Sequence, residues 1–156
     1  MADKKPSTEK LIASNKKAYH DYHVLQKFEA GLQLTGTEVK SLREGRANLK
    51  DSYVTFKNGE AYLFAMHISP YTHGNRENHD PERTRKLLMH RSELEKLEVQ
   101  VTEKGLTIVP LRLYFKGSRV KAEIGVVRGK KLFDKREAEK TREADREAAA
   151  AMKASR

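Results

Sequence analysis

Four side chains with metal-ligand chemistry, His67, His73, His79 and Asp80, fall close together in the chain, and His20-Asp21-x-His23 makes a second such group. Imidazole and carboxylate can hold a divalent cation, but the first set is strung out without the tight pairing that fixes a coordination geometry. Its histidines read as solvated or as phosphate contacts. A small metal-dependent RNA-processing enzyme using His67, His73, His79 and Asp80 is kept as the alternative reading. Other catalytic signatures are absent: there is no Gly-x-x-x-x-Gly-Lys-Ser/Thr loop, no Gly-x-Ser-x-Gly elbow and no His-Glu-x-x-His. The pairs Glu93/Glu95 and Glu137/Glu139 lie in charge-mixed helical text and read as solvated surface. The expectation is a protein with no catalytic residue, no metal and no cofactor.

Binding chemistry is better represented. Glu29 lies among Lys27, His23 and Gln33 on the polar side of an alternating segment, where it could accept hydrogen bonds from a base or a ribose hydroxyl. Spacing alone favours a surface ion pair with a cross-strand Lys or Arg. The cluster Arg83, Arg85 and Lys86 leads into Leu87 and Leu88, beside a segment bearing Tyr71, His73, Asn75 and Arg76. Cations there would neutralise phosphates while a neighbouring apolar or aromatic side chain packs on a base. The competing reading, favoured for Leu87, has the leucines in the core and the arginines snorkelling. Near the C-terminus Phe133 is flanked by Lys130, Lys131, Lys135 and Arg136, which suits stacking on a base. Beyond it, Lys135, Arg142, Arg146 and Lys153 would share one face of a helix, within about 40° of one another at 100° per residue.

The charge balance points the same way. The 156 residues carry 32 Lys and Arg against 22 Asp and Glu, a net charge of +10, which suits a nucleic acid or another anionic partner. Five basic residues face two acidic ones from Met1 to Lys17, seventeen face fourteen from Ala18 to Val127, and ten face six from Arg128 onward. The excess is thus concentrated at the ends. No cysteine is present, which fits a reducing compartment. No segment has the apolar length of a membrane span, and residues 1–9 lack a signal-peptide core. The expectation is a cytoplasmic protein with no membrane role.

The elements that must position these residues read mainly as strands. From Tyr22 to Leu34 the even positions are apolar except Gln26, a period of two that predicts a long half-buried strand, with Gly31 as a bend. Thr35-Gly36-Thr37-Glu38 has capping-box spacing, and Gly45 ends the short helix it opens. Tyr53–Phe56 and Ala61–Met66 flank Asn58-Gly59, a type I′ hairpin signal. Residues 69–82 hold two prolines and no aliphatic side chain, which predicts a long loop. Ser92 to Glu95 offers a second capping box, with Leu94, Leu97 and Val101 on one helical face and Gly105 as the stop. A second hairpin alternates through Thr107–Phe115 and Val120–Val126, with Pro110 at an edge or bulge. The fold class is therefore mainly β with short helices: a small antiparallel barrel of the oligonucleotide-binding type. Three regions are expected, a basic N-terminal arm (1–17), an RNA-binding β-barrel (18–128) and a basic C-terminal tail (129–156). The tail has few core-forming side chains and would be disordered, or helical only along phosphate.

Six blocks, in order, resemble one family. They are Phe28-Glu29-Ala30-Gly31-Leu32, Gly36-Thr37-Glu38-Val39-Lys40-Ser41-Leu42-Arg43, Asp51-Ser52-Tyr53, Arg83-Thr84-Arg85-Lys86-Leu87-Leu88, Gly129-Lys130-Lys131 and Asp134-Lys135-Arg136. Together they make the chain similar to the SsrA-binding protein family, SmpB, the bacterial partner of transfer-messenger RNA. The resemblance implies a monomeric body that holds the tRNA-like domain of transfer-messenger RNA and delivers it to stalled ribosomes for trans-translation. It also implies a tail that enters the decoding centre, against small-subunit ribosomal RNA, and the empty messenger channel. Carried over by position, Asn15, Glu29 and Leu88 would touch RNA, and Gly129, Lys130, Lys131, Phe133, Asp134, Lys135 and Arg136 would act on the ribosome. Family members often carry His or Tyr at position 133, so Phe133 keeps the ring for stacking and loses the polar tip.

Overall fold

The structure is a computed structural model describing residues 9–72 and 78–130. Among these residues run β1 (Glu9–Ser14), α1 (Lys16–Asp21), β2 (Tyr22–Leu32), α2 (Gly36–Arg43), β3 (Ala47–Asn48), β4 (Tyr53–Lys57) and β5 (Glu60–Phe64). They are followed by β6 (His67–Ile68), β7 (Arg85–Leu88), α3 (Arg91–Thr102), β8 (Thr107–Lys116) and β9 (Arg119–Gly129). Seven strands form one antiparallel sheet in the order β1-β8-β9-β2-β7-β5-β4, and β3 pairs with β6 beside it. β4 packs back against β8, so the sheet curls toward a barrel, but among the described residues no ladder joins the β1 and β4 edges. The mainly β, antiparallel fold class stands, and the barrel is curled and open.

Both expected hairpins are present. β4 and β5 turn at Asn58 (φ 54°) and Gly59 (φ 77°), positive values that fit a type I′ turn. β8 and β9 turn at Gly117 (φ 63°). Pro110 sits at a register shift in the β8–β9 ladder, the bulge its missing N–H requires. α2 opens with the expected capping box, Glu38 Oε1 accepting from the Thr35 N–H at 2.8 Å. α3 differs slightly: His90 is its N-cap, without a side-chain bond, so the Ser92 box is not used.

The even-position alternation of β2, broken only at Gln26, conceals a reversal. Register shifts between Val24 and Gln26, leaving Leu25 as the extra residue and 49% exposed. A bulge turns the following side chains over. Tyr22 and Val24 therefore pack with Ala18, Val109, Leu111 and Val127 under α1, whereas Phe28, Ala30 and Leu32 join the main core with Leu42, Leu63, Leu97 and Ile124. Neither β1 nor α1 was expected. β1 lies within the stretch read as an arm and pairs with β8. At Gly31 the strand passes from β9 to β7, pairing with Lys121 on one side and Leu88 on the other.

Candidate nucleic-acid interface

The outward side of β8, β9 and β2 carries charge in rows. Glu29 of β2 lies opposite Glu123 of β9, which lies opposite Arg112 of β8. Two carboxylates facing each other repel, and their neighbours offset this. Arg112 reaches Glu123 at 3.2 Å and Lys27 reaches it at 3.8 Å. Lys116 Nζ lies 3.3 Å from Glu29 Oε1, and the Tyr114 hydroxyl donates to Glu29 Oε2 at 2.5 Å. Glu29 is an ion pair, as spacing suggested, yet it remains 38% exposed at the edge of a groove. That groove, about 480 Å³, is lined by Glu29, Gly31, Leu88, His90, Glu93 and Lys121. Leu88 is 50% exposed on its wall, while Leu87 is fully buried.

The hydrogen bond from Tyr114 holds the Glu29 carboxyl below its ordinary value, with help from Lys116 and against the opposing effect of burial. A carboxylate so held is an acceptor only at neutral pH. Lys116 and Lys121 lie near it, and Lys27 reaches the facing Glu123. Such a surface neutralises phosphates and offers an acceptor to a base or a sugar.

Other expected contacts are placed differently. Arg85 is fully buried: it donates to Glu38 Oε2 at 2.6 Å, to the Pro81 carbonyl at 3.1 Å and to the Met66 carbonyl. Its expected role at phosphate is corrected, because the guanidinium would have to abandon a buried carboxylate to reach solvent. Arg83 remains at the surface, bonded to Glu38 at 2.6 Å and to the Gln33 carbonyl at 3.1 Å. Lys86 points outward, 3.6 Å from Glu60. Burial alone would raise the Glu38 carboxyl, but bonds from Arg83, the Thr35 N–H and Arg85 outweigh it and hold it low.

Asn15 is also buried. Its amide caps α1 at the Ala18 N–H (3.1 Å) and donates to the carbonyls of Pro110 (2.9 Å) and Leu49 (3.3 Å). In this structure it ties α1 to β8, with 6% of its surface exposed.

The described histidines of the loop are engaged elsewhere. Nε2 of His79 donates to the Ile68 carbonyl at 2.8 Å and Nδ1 lies 2.9 Å from the Thr37 hydroxyl, so both ring nitrogens serve the fold. His67 faces Glu82 at 3.8 Å, and His73 lies outside the described residues. Among the described residues no group of three or more potential ligands could hold a metal.

Of the tail, Gly129 pairs with Tyr22, and Lys130 donates to the Asp21 carbonyl at 2.8 Å and, through Nζ, to the Tyr19 carbonyl at 3.1 Å. Lys131, Phe133, Asp134, Lys135, Arg136, Arg142, Arg146 and Lys153 lie outside the described residues. Sequence reasoning missed Tyr114, Lys116 and Lys121. Their signal was alternation: Tyr114 falls between the inward Leu113 and Phe115, Lys116 follows Phe115, and Lys121 lies between Val120 and Ala122.

Residues 12–154 match the family described as SmpB protein. The chain belongs to the SsrA-binding protein (SmpB) family. It is 60% identical to the SsrA-binding protein of Geotalea uraniireducens, over 94% of this chain and 97% of that one. The corresponding protein of Carboxydothermus hydrogenoformans is 58% identical over 94% and 98%. Among solved structures it resembles one described as "tmRNA-SmpB: a journey to the center of the bacterial ribosome", with a TM-score of 0.66 and 47% identity, covering 77% of this chain and 85% of that chain. Among the described residues no helix is long and apolar enough to cross a membrane.

Proposed function

We propose that this protein binds the tRNA-like domain of transfer-messenger RNA and carries it to stalled ribosomes for trans-translation, acting in the cytoplasm without catalysis of its own. The observation that carries this reading is the similarity, at 47% identity over most of both chains, to the SmpB of a tmRNA-SmpB structure on the bacterial ribosome. The body would grip RNA with the Glu29 groove, Leu88 packing beside the carboxylate and Lys86, Lys116 and Lys121 meeting phosphates. Arg83 would join them from the edge, while Asn15 and Arg85 hold the elements beneath. The tail from Lys131 onward would act separately in the ribosome: Phe133 stacks, Asp134, Lys135 and Arg136 contact the decoding centre, and Arg142, Arg146 and Lys153 follow phosphate. Gly129 and Lys130 anchor the start of that tail against α1.

Truncation tests the division of labour. The cut belongs after Lys130, because β9 runs to Gly129 and Lys130 bonds to Asp21. The shortened protein is expected to bind a transcript of the tRNA-like domain with nearly full affinity and to support no peptide tagging in a reconstituted translation reaction. Parallel loss of both would refute separate roles. RNA recovered with the full-length protein from cells should be dominated by one tRNA-like species.

A further inference from the structure

The Glu29 groove owes its chemistry to a residue that does not line it. Tyr114 is 2% exposed, its ring lies under the Arg112 guanidinium at 4.7 Å from the centroid, and its hydroxyl donates to Glu29 Oε2 at 2.5 Å. Lys116 Nζ stands 3.3 and 3.4 Å from the two carboxylate oxygens. A phenol on a packed ring has one direction in which to donate, whereas a lysine ammonium on a flexible stem has many. Of the two partners, Tyr114 is the one that can orient the carboxylate. A carboxylate has about four lone-pair sites, so two donors leave acceptor capacity facing the groove.

We propose that Tyr114 is a positioning residue for RNA binding: its buried hydroxyl aims Glu29 as an acceptor-only group, so the groove takes a hydrogen-bond donor of the RNA and not a phosphate. This rests on the reading that the Glu29 face binds the tRNA-like domain. The donor is a base N–H or a ribose 2′-hydroxyl, the two groups of RNA that can give a proton to a carboxylate. Leu88 supplies an apolar wall for the same nucleotide, and Lys121 on the opposite strand supplies charge for its phosphate. Gly31 keeps the floor open, since a Cβ there would come within 3.3 Å of Leu88 Cβ.

Burial and the Glu29 contact both push the Tyr114 hydroxyl up, so it remains a donor at neutral pH. The charged and titratable groups facing Glu29 are Arg112, Tyr114 and Lys116 from β8, Lys121 and Glu123 from β9, and His90 and Glu93 across the groove.

The test uses the full-length protein and a transcript of the tRNA-like domain. Tyr114→Phe keeps the ring and removes the donor; it should weaken binding about tenfold, the scale of one charge-assisted hydrogen bond. It should also raise the titration midpoint of the Glu29 carboxyl, followed by carbon NMR in the free protein, toward the ordinary 4.5. A merely structural role would lower the thermal midpoint and move that titration without weakening RNA binding by the folded protein. Unchanged affinity in Tyr114→Phe with weakened binding in Glu29→Ala overturns the positioning role alone. Unchanged affinity in both overturns the reading of the face. Transcripts with single 2′-deoxy or inosine substitutions separate the two donors: the substitution whose cost vanishes in Glu29→Ala marks the group accepted, and if none does, the donor assignment is wrong. Should Tyr114→Phe fail to fold, the wild-type Tyr114 hydroxyl proton must exchange slowly with water and shift as Glu29 titrates. Free exchange overturns the proposal.

Discussion

Glu29 and Glu38 are both carboxylates answered by at least one cation and a further donor, yet one is 38% exposed and the other not exposed at all. Glu38 receives Arg83, Arg85 and the Thr35 N–H, which use its acceptor capacity inside the protein and tie α2 to β7. Glu29 receives Tyr114 and Lys116 on one side and faces a groove on the other. The same side chain is a staple where its partners enclose it and a reader where they leave one side open. Sensitivity to substitution should divide accordingly, with stability at one site and RNA affinity at the other.

The largest effect should follow Glu38→Ala. Removing the carboxylate leaves Arg85 buried and unpaired, a loss of about 3–5 kcal/mol, measurable by urea unfolding. A loss below about 1 kcal/mol would dissolve the distinction between the two sites. The pH dependence has a definite sign. The folded-state carboxyl of Glu38 lies below its ordinary 4.5, so the stability it contributes is present above about pH 4.5 and lost as pH falls through the folded value. Acid unfolding of Glu38→Ala should lack that component.

A smaller effect is expected from Gly31→Ala. The new methyl would press on Leu88 Cβ from 3.3 Å, at a cost of about 1 kcal/mol in packing. Because Leu88 is the wall of the groove, RNA affinity should fall more than stability does. Equal losses in the two would mean that Leu88 serves the core and not the surface.

These contrasts were only partly legible in the sequence. The Asn58-Gly59 turn, the Thr35 to Glu38 box and the Leu94, Leu97, Val101 face report local requirements, and local text is enough to show them. The burial of Arg85 was written in the alternation of Arg85 and Leu87 against Lys86 and Leu88, but an Arg-rich lead reads as surface unless Glu38, 47 residues earlier, is known to wait for it. The bulge at Leu25 leaves even-numbered apolar residues on both sides of it, so its reversal of faces is invisible in periodicity. β1 lacks alternation, with Leu11 56% exposed, and only its ladder with β8 makes it a strand. The chemistry of Glu29 was visible as a residue type and its availability was not, since Tyr114 and Lys116 lie 85 and 87 positions away.

The smallest stability effect should be that of Glu29→Ala, and it is the sharpest test of the comparison. The lost pair with Lys116 is exposed, worth about 0–1 kcal/mol at most, and its removal also relieves the repulsion between Glu29 and Glu123 across the ladder. Glu29 itself is 38% exposed, so water can take the place of its carboxylate beside the Tyr114 hydroxyl. Thermal unfolding should therefore remain close to wild type while binding of the tRNA-like domain weakens. A loss of stability approaching that of Glu38→Ala would make Glu29 a second staple, and RNA affinity would then have to come from the surrounding lysines alone.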